Sequence, residues 1–208
     1  TTQTITYTSS EWVRSLAVLD HRRLATTSDN GAISVWDPSS SSAVPATVFR
    51  GHTDWARAVV ALSDGRIASS ADDYTVRVWD PANPNTAPVV FTSLPDWPYA
   101  LAQVPDGRLA VAAANQVLFY HLDNPTAPPE IYNNVADYIQ AMTVLPDGRL
   151  AVSGYGGQVS IFDPANLTAL PLTVRYDGGD SYALTVLPDG RLAVANGYRS
   201  KVAVLNQG

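Results

Sequence analysis

Four times along the sequence a carboxylate stands directly before a large aromatic ring: Glu11-Trp12, Asp54-Trp55, Asp96-Trp97 and Asp137-Tyr138, with a looser fifth instance in Asp180 and Tyr182. Aromatic faces attract cations and stack on sugar rings, carboxylates pair with basic groups, and clustered Trp and Tyr dominate interaction hot spots. The combination suits a basic or neutral peptide segment. It also suits a neutral glycan held on aromatic platforms by Asp acceptors. Two residues beyond each ring stand Arg14, Arg57, Tyr99 and Gln140 in turn, so the series is not symmetric, which favours one extended peptide over equal sugar sites. Tyr74, Tyr155 and Tyr198 fall in a second set of loops expected on the same side. The candidate binding residues are therefore Glu11, Trp12, Arg14, Asp54, Trp55, Arg57, Tyr74, Asp96, Trp97, Tyr99, Asp137, Tyr138, Tyr155, Tyr182 and Tyr198. The opposing account is a packing role, in which Trp12, Trp55 and Trp97 cap the spaces between repeated units.

Catalytic chemistry finds less support. His21, His52 and His121 fall in a hairpin turn, at the entrance of a repeated unit and at a strand end, and do not converge. A zinc site usually takes three or four ligands with at least one close sequence pair, and a hydrolytic triad needs a base near its nucleophile. The absence of cysteine removes disulfides, thiolate catalysis and cysteine metal sites together. Asp29-Asn30-Gly31, Asp72-Asp73 and Asp177-Gly178-Gly179-Asp180 offer oxygens to calcium but lack the alternating spacing of an EF-hand loop. Turn-forming Asx residues explain them better. A carboxylate pair for glycoside hydrolysis has no specific signal. The expectation is a protein that is not an enzyme, with no metal and no cofactor.

The elements that must carry these residues repeat. LDHRRLAT, LSDGRIAS, VPDGRLAV, LPDGRLAV and LPDGRLAV place arginines at Arg23, Arg66, Arg108, Arg149 and Arg191, a step of about 42 residues expected of a four-stranded propeller blade. An aromatic in a β-prone run keeps the same step at Tyr7, Phe49, Phe91, Tyr132 and Tyr176. Within the second unit, 47–50, 56–62, 66–70 and 75–79 read as strands. Ser-Asp-Gly or Pro-Asp-Gly closes the hairpin between the second and third, proline presetting φ and glycine accepting a positive one. Asp20, Asp64, Asp106, Asp147 and Asp189 precede the five arginines, so local ion pairing explains that series better than an anion-binding ring. Pro-, Ser-, Ala- and Asn-rich stretches at 38–46, 81–88, 124–129 and 164–171 read as surface connections. The chain opens with an aromatic strand at 5–8 and stops just after the fifth copy of the fourth, VRVW-type strand of a unit, at 202–205. Pairing the two would complete a fifth blade and hide two strand edges.

These residues resemble the WD-repeat family of β-propellers. Trp36-Asp37 and Trp79-Asp80 match the naming dipeptide, Gly51-His52 its Gly-His element, and the Asp-Gly turns the bend after its innermost strand. Elsewhere Tyr120-His121, Phe162-Asp163 and Leu205-Asn206 occupy the dipeptide position. The resemblance implies a hydrogen-bonded group of His52, Ser69 or Ser70, Asp73 and Trp79 inside the second blade only. Seven blades are the commonest number in that family and five are expected here; small residues near the starts of the innermost strands, Ser15, Ala58, Ala100, Ala141 and Ala183, suit close approach around an axis. The expected fold is all-β: a five-bladed β-propeller of four-stranded antiparallel blades, one domain over 1–208, its ring closed by the N-terminal strand joining the last blade. A monomer is expected, with a larger ring of two chains as the alternative.

Charge narrows the partner. Thirteen Lys plus Arg against 19 Asp plus Glu leave a formal net charge of -6, which repels a nucleic-acid backbone or an anionic membrane. The opening TTQTITYTSSEW has no basic stretch followed by an apolar run, and no segment approaches the roughly 20 apolar residues that span a bilayer. The expectation is a soluble cytoplasmic scaffold that binds a basic or neutral protein or peptide segment through its acidic, aromatic face. The alternatives are a glycan-binding, lectin-like propeller, or an engineered or excised propeller without its own ligand.

Overall fold

The computed structural model describes residues 6, 9, 11–19, 23–40, 44–92, 94–135, 137–177, 179–197 and 201–206. Among them every regular element is a strand, and the strands form five antiparallel sheets in which sequence neighbours pair. By element content and sheet topology the chain is a five-bladed β-propeller. It divides into two compact units, Thr1–Pro98 and Tyr99–Gly208.

The first unit holds two complete blades. One is β1 (Val13–Val18), β2 (Leu24–Ser28), β3 (Ile33–Trp36) and β4 (Thr47–Phe49); the other is β5 (Ala56–Ala61), β6 (Ile67–Ala71), β7 (Thr75–Trp79) and β8 (Val89–Phe91). Their facing sides share a core of Ala25, Ile33, Val35, Phe49, Ala56, Val59, Ile67 and Trp79. Phe49, on the outermost strand of its blade, meets the Trp79 ring of the next at 5.3 Å between centroids. Phe49 is therefore a packing residue, and Phe91 and Tyr132 at the same step are likewise buried.

The second unit holds three blades. Third in chain order are β9 (Pro98–Gln103, whose first residue closes the first unit), β10 (Leu109–Ala113), β11 (Gln116–Tyr120) and β12 (Glu130–Tyr132). The fourth is β13 (Ile139–Val144), β14 (Leu150–Gly154), β15 (Gln158–Phe162) and β16 (Leu172–Arg175). β17 (Ser181–Val186), β18 (Leu192–Asn196) and β19 (Lys201–Leu205) form the fifth, three-stranded among the described residues. Residues 5, 7 and 8 of the strand expected at 5–8, and with them the ring closure assigned to it, lie outside the described residues. Tyr132 stacks on Phe162 at 3.8 Å, and Leu145, Val159, Ile161, Leu192 and Val194 fill the space between the fourth and fifth blades.

Strands β6, β10 and β14 are buried at every position, which explains their small, apolar sequences IASSA, LAVAA and LAVSG. A strand covered on both faces cannot alternate apolar with polar residues. Strand β1, by contrast, leaves Val13, Leu16 and Val18 exposed, and β19 leaves Val202 and Val204 exposed.

The Asp-Gly turns work as expected. Gly65, Gly107, Gly148 and Gly190 have φ of 86°, 90°, 89° and 86°, and each donates its N–H to the carbonyl three residues before it. Asp64, Asp106, Asp147 and Asp189 accept the N–H of the arginine two residues on and pair with its guanidinium, at side-chain distances of 2.6–2.7 Å. Local pairing thus absorbs four of the five arginines; Asp20, the neighbour of Arg23, lies outside the described residues. Arg108 goes further. It is buried, lies over Phe119 at 4.8 Å, reaches Glu130 at 2.8 Å, and donates to the Pro164 carbonyl of the next blade at 2.7 Å.

Candidate functional site

In four blades the innermost strand carries a bulge one residue after its start, between Val13 and Ser15, Ala56 and Ala58, Ile139 and Ala141, and Ser181 and Ala183. The residue left without a cross-strand partner is Arg14, Arg57, Gln140 or Tyr182 respectively. A bulge bends the strand and re-aims the extra side chain. In three of these blades the bulge residue is the one two beyond the aromatic, Arg14, Arg57 or Gln140.

In the first unit both bulge arginines turn onto the aspartate that follows β2 or β6. The Arg14 Nε and Nη2 groups donate to the two Asp29 oxygens, the second at 2.9 Å. Arg57 donates to Asp72 in the same two-pronged way at 2.7 and 2.5 Å. That geometry adds direction to charge. The hydrogen bonds to Asp29 hold the Arg14 guanidinium above its ordinary range, and Arg14 in turn holds Asp29 below the usual carboxylate range.

The guanidinium groups also stack. Arg14 lies 5.6 Å from the centroid of Trp12 and 4.7 Å from that of Trp55, and Arg57 lies 5.1 Å from Trp55. Trp12, Arg14, Trp55 and Arg57 thus form one alternating ring-and-cation run across the first two blades. Tyr74 and Trp97 continue the aromatic surface at 6.5 Å. All four rings are exposed, Trp12 at 75% and Trp55, Tyr74 and Trp97 at 39–44%. Tyr74 is held there by a left-handed backbone, φ 59°, in the turn between β6 and β7. The Asp54 and Asp96 carboxylates accept the N–H of the tryptophan that follows, at 2.8 and 2.7 Å, which fixes the acid beside the ring. Glu11 is exposed.

In the second unit the same positions do different work. Asp137 accepts a hydrogen bond from the Gln158 amide at 2.9 Å, and Tyr138 meets Tyr155 at 6.1 Å. Tyr155 follows β14 directly and so occupies the place of Asp72, not that of Tyr74. Tyr182 lies over Gly197, where any side chain would collide with its ring. Tyr99 is half-buried at the start of β9. Tyr198 lies outside the described residues.

Sequence reasoning missed Asp29 and Asp72 as members of the surface, reading them only as turn residues. A signal was present. Where the position two beyond the aromatic changes from Arg57 to Tyr99 and Gln140, the residue in the place of Asp72 changes to Ala114 and Tyr155. Arginine and aspartate are gained and lost together, as a pair in contact should be.

Inside the second blade His52, Ser69, Asp73 and Trp79 form a buried chain. The Trp79 indole N–H donates to Ser69 Oγ at 2.8 Å, and Ser69 and His52 Nε2 are 2.8 Å apart. His52 Nδ1 faces Asp73 at 3.0 Å, and Asp73 also accepts from Thr75 Oγ1 and the Thr53 N–H. Burial pushes the histidine below its ordinary value despite the Asp73 charge. The ring is neutral at neutral pH, with Nδ1–H donating to Asp73 and Nε2 accepting from Ser69. Burial alone would raise Asp73, but the hydrogen bond from Thr75, His52 and the Thr53 amide hold it below the usual range. Ser69 is the serine of this group; Ser70 instead donates to the Pro98 carbonyl at 2.7 Å. In the first blade the Trp36 indole N–H donates to Thr26 Oγ1 at 2.8 Å, the counterpart of the Trp79–Ser69 link.

Antiparallel meanders with Asp-Gly turns define a β-propeller, and the second blade carries a buried His–Ser–Trp–Asp chain. The WD domain, G-beta repeat family matches residues 1–37 and 43–80, which assigns the first two repeats to it. The crystal structure of the WD40 β-propeller domain of Doa1 is similar, with a TM-score of 0.78 at 16% identity, covering 93% of this chain and 63% of that one. That likeness is one of fold, and the chain spans less than two thirds of that solved domain. No relative is found among curated proteins. No helix among the described residues is long and apolar enough to cross a membrane.

Proposed function

We propose that the protein is a non-catalytic interaction module whose exposed run of Trp12, Arg14, Trp55, Arg57, Tyr74 and Trp97, edged by Glu11, Asp54 and Asp96, docks a basic or neutral protein segment. One observation carries this reading: the arginines on the run are already neutralised by Asp29 and Asp72, while the edging carboxylates meet no cation among the described residues. The surface therefore presents aromatic faces with a surplus of negative charge, in keeping with the net charge of -6. Scaffolding of proteins and peptides is typical of the WD-repeat fold, which adds weight but no partner.

The test is an immobilised peptide library probed with the full chain and with a variant carrying Trp12→Ala, Trp55→Ala and Trp97→Ala. Enrichment of Lys- and Arg-containing peptides, lost in the variant while its far-UV circular dichroism is kept, is the expected outcome. Equal capture by the two proteins overturns the proposal, and binding confined to a glycan array would assign the aromatic platforms to sugars.

A further inference from the structure

The stacked run is incomplete at one end. Trp55 has two guanidinium groups at its ring, its own blade's Arg57 at 5.1 Å and Arg14 from the preceding blade at 4.7 Å. Among the described residues Trp12 has only its own blade's Arg14, at 5.6 Å, and it is 75% exposed against 43% for Trp55. At that exposure the Trp12 ring has a face accessible to a second guanidinium of the kind that Arg14 supplies to Trp55. The built cations each come with a carboxylate, Asp29 for Arg14 and Asp72 for Arg57. Directly before Trp12 in sequence comes Glu11, exposed, with its backbone N–H donating to Ser9 Oγ at 3.2 Å and its side chain without a cationic partner among the described residues.

We propose that Trp12 and Glu11 form a slot for an arginine side chain of a partner protein, which completes the run as Arg14 does at Trp55. A guanidinium suits it better than an ammonium because it is planar, weakly hydrated and able to stack while donating sideways to a carboxylate. The inference rests on the reading of this surface as a peptide-docking face and names the side chain that one part of it takes.

Indole N–H signals of the full-length, 15N-tryptophan-labelled chain report the slot directly. The Trp12 signal is assigned by its loss in Trp12→Phe. The probes are acetylated, amidated Gly-Arg-Gly and its lysine and citrulline counterparts, citrulline keeping the shape of arginine without its charge. The expected result is a shift of the Trp12 signal that saturates with the arginine peptide, with affinity about two- to fivefold weaker for citrulline and for Glu11→Gln. Lysine binding as tight as arginine would make the slot a general cation site and overturn the guanidinium assignment. Equal shifts from citrulline, or a static Trp12 signal, would overturn the slot itself. The two readings fail separately. If library peptides bind and depend on Trp97 but not on Trp12, the slot falls and the docking face stands; if the tripeptide moves Trp12 but no library peptide binds, the reverse holds.

Discussion

Arg57 and Asp72 illustrate how a surface feature is fixed one side chain at a time. Their side chains are only 20% and 9% exposed, so each depends on the other to offset lost hydration. Arg57→Gln should leave Asp72 charged and unpaired, at a cost of about 1–3 kcal/mol, and Arg57→Gln with Asp72→Asn should cost less than the two single changes summed. Urea unfolding of the four proteins of that cycle measures the coupling. His52 makes a second prediction at this scale. Its folded pKa lies below the ordinary value of 6.5, so the unfolded chain binds a proton first as pH falls. The His52 contribution is therefore complete above that value, declines as pH drops through it, and levels off once the folded ring is itself protonated. The slope of the urea midpoint between pH 7 and 5 should be smaller in His52→Gln than in the native chain.

At the scale of elements, each hairpin and bulge places a side chain that its sequence neighbours alone would not. Glycine shows the difference between a conformational demand and a spatial one. A Cβ on Gly107 meets nothing within 4 Å, so Gly107→Ala should cost only the left-handed backbone, about 1–2 kcal/mol. A Cβ on Gly154 would overlap the Tyr138 backbone carbonyl, although the corresponding position in the second blade is Ala71. Gly154→Ala should therefore destabilise more than Gly107→Ala, and it should also shift the Tyr138 and Tyr155 ring signals, because the innermost strand must move away from β14. Thermal melts and aromatic NMR spectra of the two variants check both statements.

For the molecule as a whole, the chain is expected to behave as one domain over 1–208, and its two compact units make this a measurable matter. Unfolding followed by tryptophan fluorescence and by far-UV circular dichroism should give one coincident transition, since all five tryptophans lie in Thr1–Pro98 while strands fill both units. Separate transitions would make the units independent domains. The net charge of -6 predicts that binding of an arginine-bearing partner weakens as salt rises, by screening of exposed carboxylates such as Glu11.

What the sequence by itself determined is whatever repeats. The His52, Asp73 and Trp79 group was implied by the resemblance that Gly51-His52 and Trp79-Asp80 carry, while the blade length and the hairpin turns follow from local spacing, because strand pairing between neighbours needs only short-range turns. The aromatic positions Trp12, Trp55, Trp97 and Tyr74 were legible for the same reason. Three things waited for the tertiary structure: the choice of Ser69 over Ser70, the pairing of Arg14 with Asp29 and Arg57 with Asp72, and the stacking of Arg14 on the tryptophan of the next blade. Each depends on which way a side chain leaves a strand whose register a single bulge has shifted. A bulge has no composition of its own, so only the folded backbone says where it falls.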